Sequence, residues 1–445
     1  MKQKLTLALL LTAATFMPAA HAADLAGEIA ELRAAILEMQ RDYESRISEL
    51  EDRLANAEQL ASGAKQDASE AFNIAEQTAI DQSSGATAAN TFNPSLGAVL
   101  YGRYANFDQG WEEIPGFQPA GEIGTGESGF ALGEAEINLK ASVDDKFFGN
   151  LTFAIADEEG EVEVELEEAW VQTTGLPAGI TMTGGRMFSA AGYINGFHRH
   201  TDDFADRQLP YQAFFGGQYR VDGVRAGWIA PTTLLFELGA ELNWGSSFPA
   251  GGEAGSSPGA HTLFAKLGGD VGVNNSWQLG LSWLSADADE RAGGEDDPAT
   301  FSGDSDLVLV DFVWKWAPNG NPTQTNFKLQ GEYFSRDESG VYDGIPYDGD
   351  QTGWYLQGVW QFAPMWRVGL RHDEVDADNG PLFTGTALED PGNASRRDSV
   401  MIDWSPSEYS RLRMQYTHDR VFSESDSQGW LQYIMSLGAL GAHAF

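Results

Sequence analysis

The sequence predicts a transmembrane antiparallel β-barrel of about sixteen strands, preceded by an N-terminal coiled-coil helix. Three observations carry this prediction. Short segments of alternating residues recur from Gly97 to the C-terminal Phe445. Tight-turn residues and longer Gly/Asp/Ser-rich stretches divide those segments in turn. No run of about 18 apolar residues follows the N-terminus, so a helical span is not expected. In Phe236-Glu237-Leu238-Gly239-Ala240-Glu241-Leu242-Asn243-Trp244 the even positions suit lipid and the odd positions suit water. A sheet that is greasy on one side and acidic on the other, without helices to cover it, suits a barrel with a wet lumen.

Composition narrows the choice. Among 445 residues, 66 are Asp or Glu and 27 are Lys or Arg, a net charge of -39, with no cysteine. The 51 Gly, 25 Phe and 13 each of Trp and Tyr suit strands in which only alternate residues are apolar. Absence of cysteine excludes disulfides and thiolate metal sites. The acidity argues against a nucleic-acid partner, which needs basic patches. A solvated acidic surface is the ordinary reading of that charge, and a cation-attracting lumen is the sharper one.

Residues 1–22 read as a secretory signal, with Lys2 and Lys4 before the apolar Leu5–Phe16 and a cleavage site at Ala20-His21-Ala22. Residues 23–82 carry heptads: Leu25, Ile29, Leu32, Ile36, Met39 and Tyr43, then a stutter at Ile47, then Leu50, Leu54 and a run of alanines to Ala75. They predict a self-associating periplasmic coil, with a homotrimer the favoured state and a helix packed on another protein the alternative. Residues 83–96 form a polar linker, and 97–445 the barrel.

Within the barrel, tight reversals are expected at Asp144-Asp145, Leu176–Gly179, Ala230-Pro231-Thr232, Asn274-Asn275, Pro318-Asn319-Gly320, Ala363-Pro364-Met365 and Ser405-Pro406-Ser407. Longer loops are expected near 108–128, 157–161, 189–211, 246–259, 287–304, 337–350, 377–395 and 421–427. Seven turns and eight loops separate sixteen strands, and an even count places both barrel ends on the periplasmic side. Trp316, Trp360, Phe362, Trp366 and Trp404 lie beside the short turns, where an interfacial aromatic girdle belongs. The last strand places Leu431, Tyr433, Met435, Leu437 and Ala439 in register with Phe445, an ending suited to the barrel-assembly machinery.

Candidate functional residues cluster in the third loop and on the lumen face. Loop 189–211 contains His198, His200, Asp202, Asp203 and Asp206. Facing it are the lumen arginines Arg367, Arg371, Arg411 and Arg413, with Arg186, Arg220 and Arg225 less firmly placed. Loop acids opposite wall arginines would set a transverse field at a constriction and favour small polar or zwitterionic solutes. Structural pairing of the same groups is the alternative. In Glu161–Glu168 the acids Glu163, Glu165 and Glu167 share one face, and Glu167-Glu168 breaks the alternation, which suggests a bulge. Those acids are either solvated in a wide pore or attract divalent cations. His198 and His200 beside the loop acids have the ligand chemistry of zinc, although H-x-H in a loop is common and His261, His372, His418 and His443 are dispersed. An enzyme needs a nucleophile, a base and an orienting group, and no such set stands out, so no enzymatic activity is expected.

Six stretches, DDKFFGNL (144–151), EVELEEAWVQTTGLPAG (163–179), FADRQLPYQAFFGGQYRVDGVR (204–225), FVWKWAPNGNP (312–322), NFKLQGEYF (326–334) and LQYIMSLGALGAHAF (431–445), resemble Gram-negative envelope proteins often labelled zinc-regulated TonB-dependent outer-membrane receptors. The resemblance covers the coil and the whole barrel. It implies an outer-membrane protein linked to zinc supply and strengthens His198 and His200 as metal ligands. A TonB-dependent receptor, however, has about 22 strands and a plug. The 349 residues of 97–445 and the preceding heptad helix are too small for that. The expectation is a porin-type channel, open or narrowed by its third loop, for passive uptake of small solutes, with divalent cations such as zinc favoured. No cofactor is required, and zinc enters as a bound or transported ion. The expected partners are outer-membrane lipid, the barrel-assembly machinery through Phe445 and two further copies of the chain through the coil. The expected location is the cell outer membrane, with the coil in the periplasm. A receptor that needs a partner for energy coupling, or an envelope tether with incidental permeability, are the alternatives.

Overall fold

The computed structural model describes residues 94–118, 123–126, 128–133, 135–158, 161–245, 247–251, 258–292, 299–422 and 425–438. The signal, the heptad segment and Phe445 lie outside the described residues. All described residues fall in one compact unit, 92–445.

Seventeen strand segments build it. They are β1 Ser95–Asn106, β2 Gly129–Leu132, β3 Ala135–Ser142, β4 Phe147–Glu158, β5 Glu161–Thr173 and β6 Ile180–Phe188. Next come β7 Arg220–Ile229, β8 Leu235–Asn243, β9 Ala260–Val271, β10 Asn275–Ala292, β11 Thr300–Trp316 and β12 Asn326–Tyr342. The last are β13 Ile345–Ala363, β14 Trp366–Asp378, β15 Ser395–Ser407, β16 Ser410–Arg420 and β17 Asp426–Gly438. β2 and β3 are two parts of one crossing, since both pair with β1, Gly102 opposite Leu132 and Val99 opposite Glu136. The chain therefore crosses sixteen times. Each strand pairs antiparallel with the next, and β1 closes on β17 from Gly97 opposite Gly438 to Asn106 opposite Gly429. Closure pairs the edge backbone groups that hydrocarbon would leave unsatisfied.

The alternation holds as expected. Val308, Val310 and Phe312 are exposed on the outer face of β11, while Leu307, Leu309 and Asp311 are buried inward. Trp360, Phe362, Trp366 and Trp404 are exposed beside the short turns. Six of the seven short reversals sit at strand junctions as expected, while Ser405-Pro406-Ser407 is still part of β15 and the chain turns just after it, at Glu408 and Tyr409. The bulge is present too. Thr152 lies opposite Glu168 and Phe153 opposite Leu166, which leaves Glu167 as the extra residue on β5.

Two expected loops shrink. In place of a loop over 337–350, the β12–β13 ladder runs on to Tyr342 opposite Ile345 and closes on Asp343 and Gly344, whose φ values are 45° and 79°. Both turn residues are in the left-handed region, as a two-residue hairpin requires. Likewise β10 continues to Ala292 and β11 starts at Thr300, inside the expected loop 287–304. Gly, Asp and Ser read as loop, but the buried ring cluster of Phe301, Tyr342, Tyr347 and Phe383 gives these extensions an apolar face to hold.

The lumen is less wet than alternation suggests. At the long-loop end it holds a packed core of Trp111, Ile114 and Phe117 from the first loop with Leu209, Tyr211, Phe214 and Phe215 from a helix, α1 (Leu209–Phe215), in the third. Wall residues Leu307, Leu309, Phe334 and Val375 close that core. Gly353 on β13 permits the approach, because a Cβ there would sit 2.8 Å from the Phe214 ring.

Candidate functional site

The third loop is longer than the expected 189–211: it leaves β6 at Ser189 and reaches β7 only after Tyr219, because α1 extends it, and its contacts with the wall carry it inward. Two wall carboxylates anchor its start. Glu241 on β8 accepts from Ser189 Oγ at 2.5 Å and the Ala190 amide at 2.8 Å. Glu332 on β12 accepts from the amides of Tyr193 and Ile194 at 3.2 and 3.0 Å and from the hydroxyls of Tyr211 and Tyr355 at 2.8 and 2.6 Å. The loop's own Asn195 ties both ends together, donating to the carbonyls of Ser189 and Tyr219 and accepting from the Tyr219 amide. All seven residues of α1 are buried. Gly216, at φ 62°, ends the helix with its amide turned back to Gln212.

The loop acids meet the wall cations in contact. Asp203 lies 2.6 Å from Lys328 Nζ and 3.0 Å from Arg367 Nη1. Asp206 lies 2.9 Å from Arg371 Nη2 and 2.6 Å from Arg397 Nη1. Asp202 pairs with Arg207 of the same loop at 2.6 Å, and its carbonyl accepts from Arg411 Nη1 at 2.8 Å and from Arg413. Burial alone would raise the pKa values of Asp203 and Asp206. For Asp203 the cations Lys328 and Arg367 outweigh it, and for Asp206 Arg371 and Arg397 do, so both carboxyls stay below the usual range. The expected gap between loop acids and wall arginines is therefore bridged by direct ion pairs. Beside Lys315 and Lys328 a cavity of about 30 Å³ remains, lined also by Tyr193, Phe197 and Thr201. That holds little more than a water.

The remaining expected arginines sit elsewhere on the wall. Arg186 makes a two-pronged bond to Asp222 at 2.7 Å, Arg225 bonds Glu241 at 2.6 Å and Arg220 bonds Glu165. Of the β5 acids, Glu165 is exposed beside Arg220 and Glu167 is buried. The side chain of Glu163 lies outside the described residues.

His198 and His200 come together, but not with the loop acids. The cations around Asp202, Asp203 and Asp206 hold those carboxylates on the other side, and the wall supplies different ones. His198 Nδ1 lies 3.1 Å from both Glu136 and Glu167, and its Nε2 lies 3.0 Å from Glu168. His200 Nδ1 lies 2.6 Å from Glu136, and the two imidazoles stack at 5.7 Å. The β5 bulge makes this possible by turning the adjacent Glu167 and Glu168 both inward. Burial disfavours the His198 imidazolium, yet its hydrogen bonds to Glu136, Glu167 and Glu168 hold its pKa well above the ordinary imidazole value. One ligand atom from each of Glu136, Glu167 and His198 lies within 4.8 Å of the others. These N and O donors fit zinc.

Sequence reading missed Glu136, Glu168, Glu241, Glu332, Lys328, Arg397 and Arg207. Most sit at inward positions of alternating strands, where parity could have found them. Nothing local marks which inward residue meets the loop.

No protein-family model matches the chain. An uncharacterized protein of Aquifex aeolicus is 29% identical over 339 residues, covering 71% of this chain and 70% of that one. Among solved structures, the outer membrane channel DcaP of Acinetobacter baumannii superposes with a TM-score of 0.52 at 14% identity, over 79% of this chain and 99% of that one. The trimer form of OmpT, an outer membrane protein of Vibrio cholerae, superposes at 0.50 and 10% identity, over 78% and 100%. At these identities the likeness is one of fold.

Proposed function

We propose that this chain is a passive outer-membrane channel of the porin type, with loop 189–219 as its constriction. The observation that carries the reading is the inward loop, held across the lumen by Asp203 to Lys328 and Arg367 and by Asp206 to Arg371 and Arg397. A sixteen-strand wall is wide enough for an aqueous path, and a clamped loop sets how much of it stays open. DcaP, similar in fold, is itself an outer membrane channel. Asp202, Asp203, Asp206, Arg367, Arg371, Arg411 and Arg413 form the constriction in this reading, with Glu163, Glu165 and Glu167 as lumen acids. Zinc is bound or selected at His198, with His200 beside it and Glu136 and Glu167 completing the donor set. The chain sits in the outer membrane as a trimer with its heptad segment in the periplasm, and Phe445 serves assembly. The trimer form of OmpT supports the stoichiometry. No energy coupling and no enzymatic step are part of this reading.

Single-channel recording of the refolded protein in planar bilayers tests it. Steady ohmic conductance that zinc alters, with the zinc effect lost in His198→Ala, is the expected result. Absence of conductance overturns the channel. Conductance indifferent to zinc overturns the metal.

A further inference from the structure

The third loop is not alone in the barrel mouth. The first loop leaves β1 at Asn106, and its residues 110–118 meet strands far from that origin. Trp111 gives its indole Nε1 to Asp419 on β16 at 3.1 Å. The Gly116 carbonyl accepts from Gln351 on β13 at 2.7 Å and from Asn379, just past β14, at 2.8 Å. Gln118 exchanges two hydrogen bonds of 2.9 Å with Arg291 on β10. β10 is the ninth of the sixteen crossings and so stands opposite β1. The segment therefore spans the full width of the mouth.

It lies against loop 3 as it crosses. The Phe117 ring meets Phe214 of α1 edge-on at 5.3 Å, and on the way back the Gly124 amide donates to Gln212 of α1 at 3.1 Å. The third contact runs through the wall. The Arg397 guanidinium lies 5.2 Å from the Trp111 ring, and Asp419, which accepts from Trp111, also lies 3.3 Å from Arg397 Nε. Arg397 in turn gives Nη1 to Asp206 of loop 3 at 2.6 Å. A ring over a guanidinium attracts it and keeps water away, and an ion pair kept from water is the stronger for it. First loop, wall and third loop thus meet in one stack.

We infer that the first loop is a second element of the constriction, which caps α1 and, with Trp111 over Arg397, fixes Asp206, so that loops 1 and 3 set the width of the path together. Trp111 is a positioning residue here, since it acts on Asp206 through Arg397. The cap itself stands apart from the channel reading, and its effect on permeation rests on that reading.

The test pairs amide hydrogen exchange with single-channel recording, both on the full-length refolded protein. Trp111→Ala should speed exchange in α1 about tenfold or more, because losing buried aromatic surface raises the population of the open loop. The β11–β13 ladder should exchange as before. In bilayers the same variant should conduct more than the unaltered protein, by about half or more. Trp111→Phe keeps a ring over Arg397 and should restore most of both. Faster exchange in α1 and the ladder alike is general destabilisation and overturns the cap. So does unchanged exchange in α1, or unchanged conductance in Trp111→Ala when the unaltered protein conducts. Glu112→Cys gives a readout that leaves the buried contacts alone, since Glu112 is exposed and the chain has no cysteine of its own. Coupling a bulky maleimide there should lower the conductance, and full conductance after coupling overturns the placement over the path. Faster α1 exchange without conductance in any form would sink the channel and leave the cap standing.

Discussion

Loop 3 is gripped from two sides by opposite chemistries. Toward β12, β14 and β15 its aspartates meet cations, with Asp203 and Asp206 each held by two at 2.6–3.0 Å. Toward β3 and β5 its histidines meet carboxylates, with Glu136, Glu167 and Glu168 around His198. The first contact sets buried acids against surplus cations, each of the two aspartates lying between two of them. The second sets imidazoles against surplus acid, a balance that a bound metal or a proton can change. The comparison teaches that one loop can be fixed at one wall and adjustable at the other.

Breaking the fixed side should have the largest effect. Asp206→Ala leaves Arg371 and Arg397 without their shared partner and should cost about 3 kcal/mol, the low end for a broken buried pair. Arg371 retains Asp373 and Arg397 retains Asp419, which limits the loss. Thermal unfolding measures the cost. Proteolysis of loop 3 and a larger conductance should accompany it. His198→Ala removes the centre of the other contact and should cost less, about 1–3 kcal/mol, because it strips partners from buried carboxylates. If the two losses prove equal in size and in effect on conductance, the asymmetry between the walls is wrong.

Acid sharpens the contrast. Asp203 and Asp206 have folded pKa values below their unfolded ones. Their contribution is therefore fully present above the unfolded value of about 3.9, and it is lost as pH falls through the depressed folded values. Protease resistance of loop 3 should stay flat from pH 7 to about pH 4 and decline only below that. A decline beginning near pH 6 would place its hold elsewhere. The smallest effect should come from the rim. Arg420 and Asp398, each about half exposed and 3.1 Å apart, should contribute under about 1 kcal/mol. Arg420→Ala should barely move the melting temperature, which makes it the control for the buried pairs.

Much of the wall was legible in the sequence, because period-two alternation and turn chemistry are local. Val308-Val310-Phe312 against Asp311, the Pro318-Asn319-Gly320 turn and the Glu167-Glu168 bulge all follow from neighbours in the chain. The two shortened loops were not legible. Their Gly/Asp/Ser composition hides strands held by Tyr342 and Tyr347 packing on Phe383, a contact between distant segments.

The candidate site divides in the same way. The residue types were visible: histidines and aspartates in a long third loop, and arginines at inward positions. Their partners were not. Asp206 meets Arg397 across 191 residues, and His198 meets Glu136 rather than its neighbour Asp202. By itself the sequence determined which residues face inward, since side-chain parity along a strand is set by backbone geometry. Only the tertiary structure decided which inward residues touch loop 3. Those pairings depend on the path the loop takes through the closed barrel, and no local pattern encodes that path.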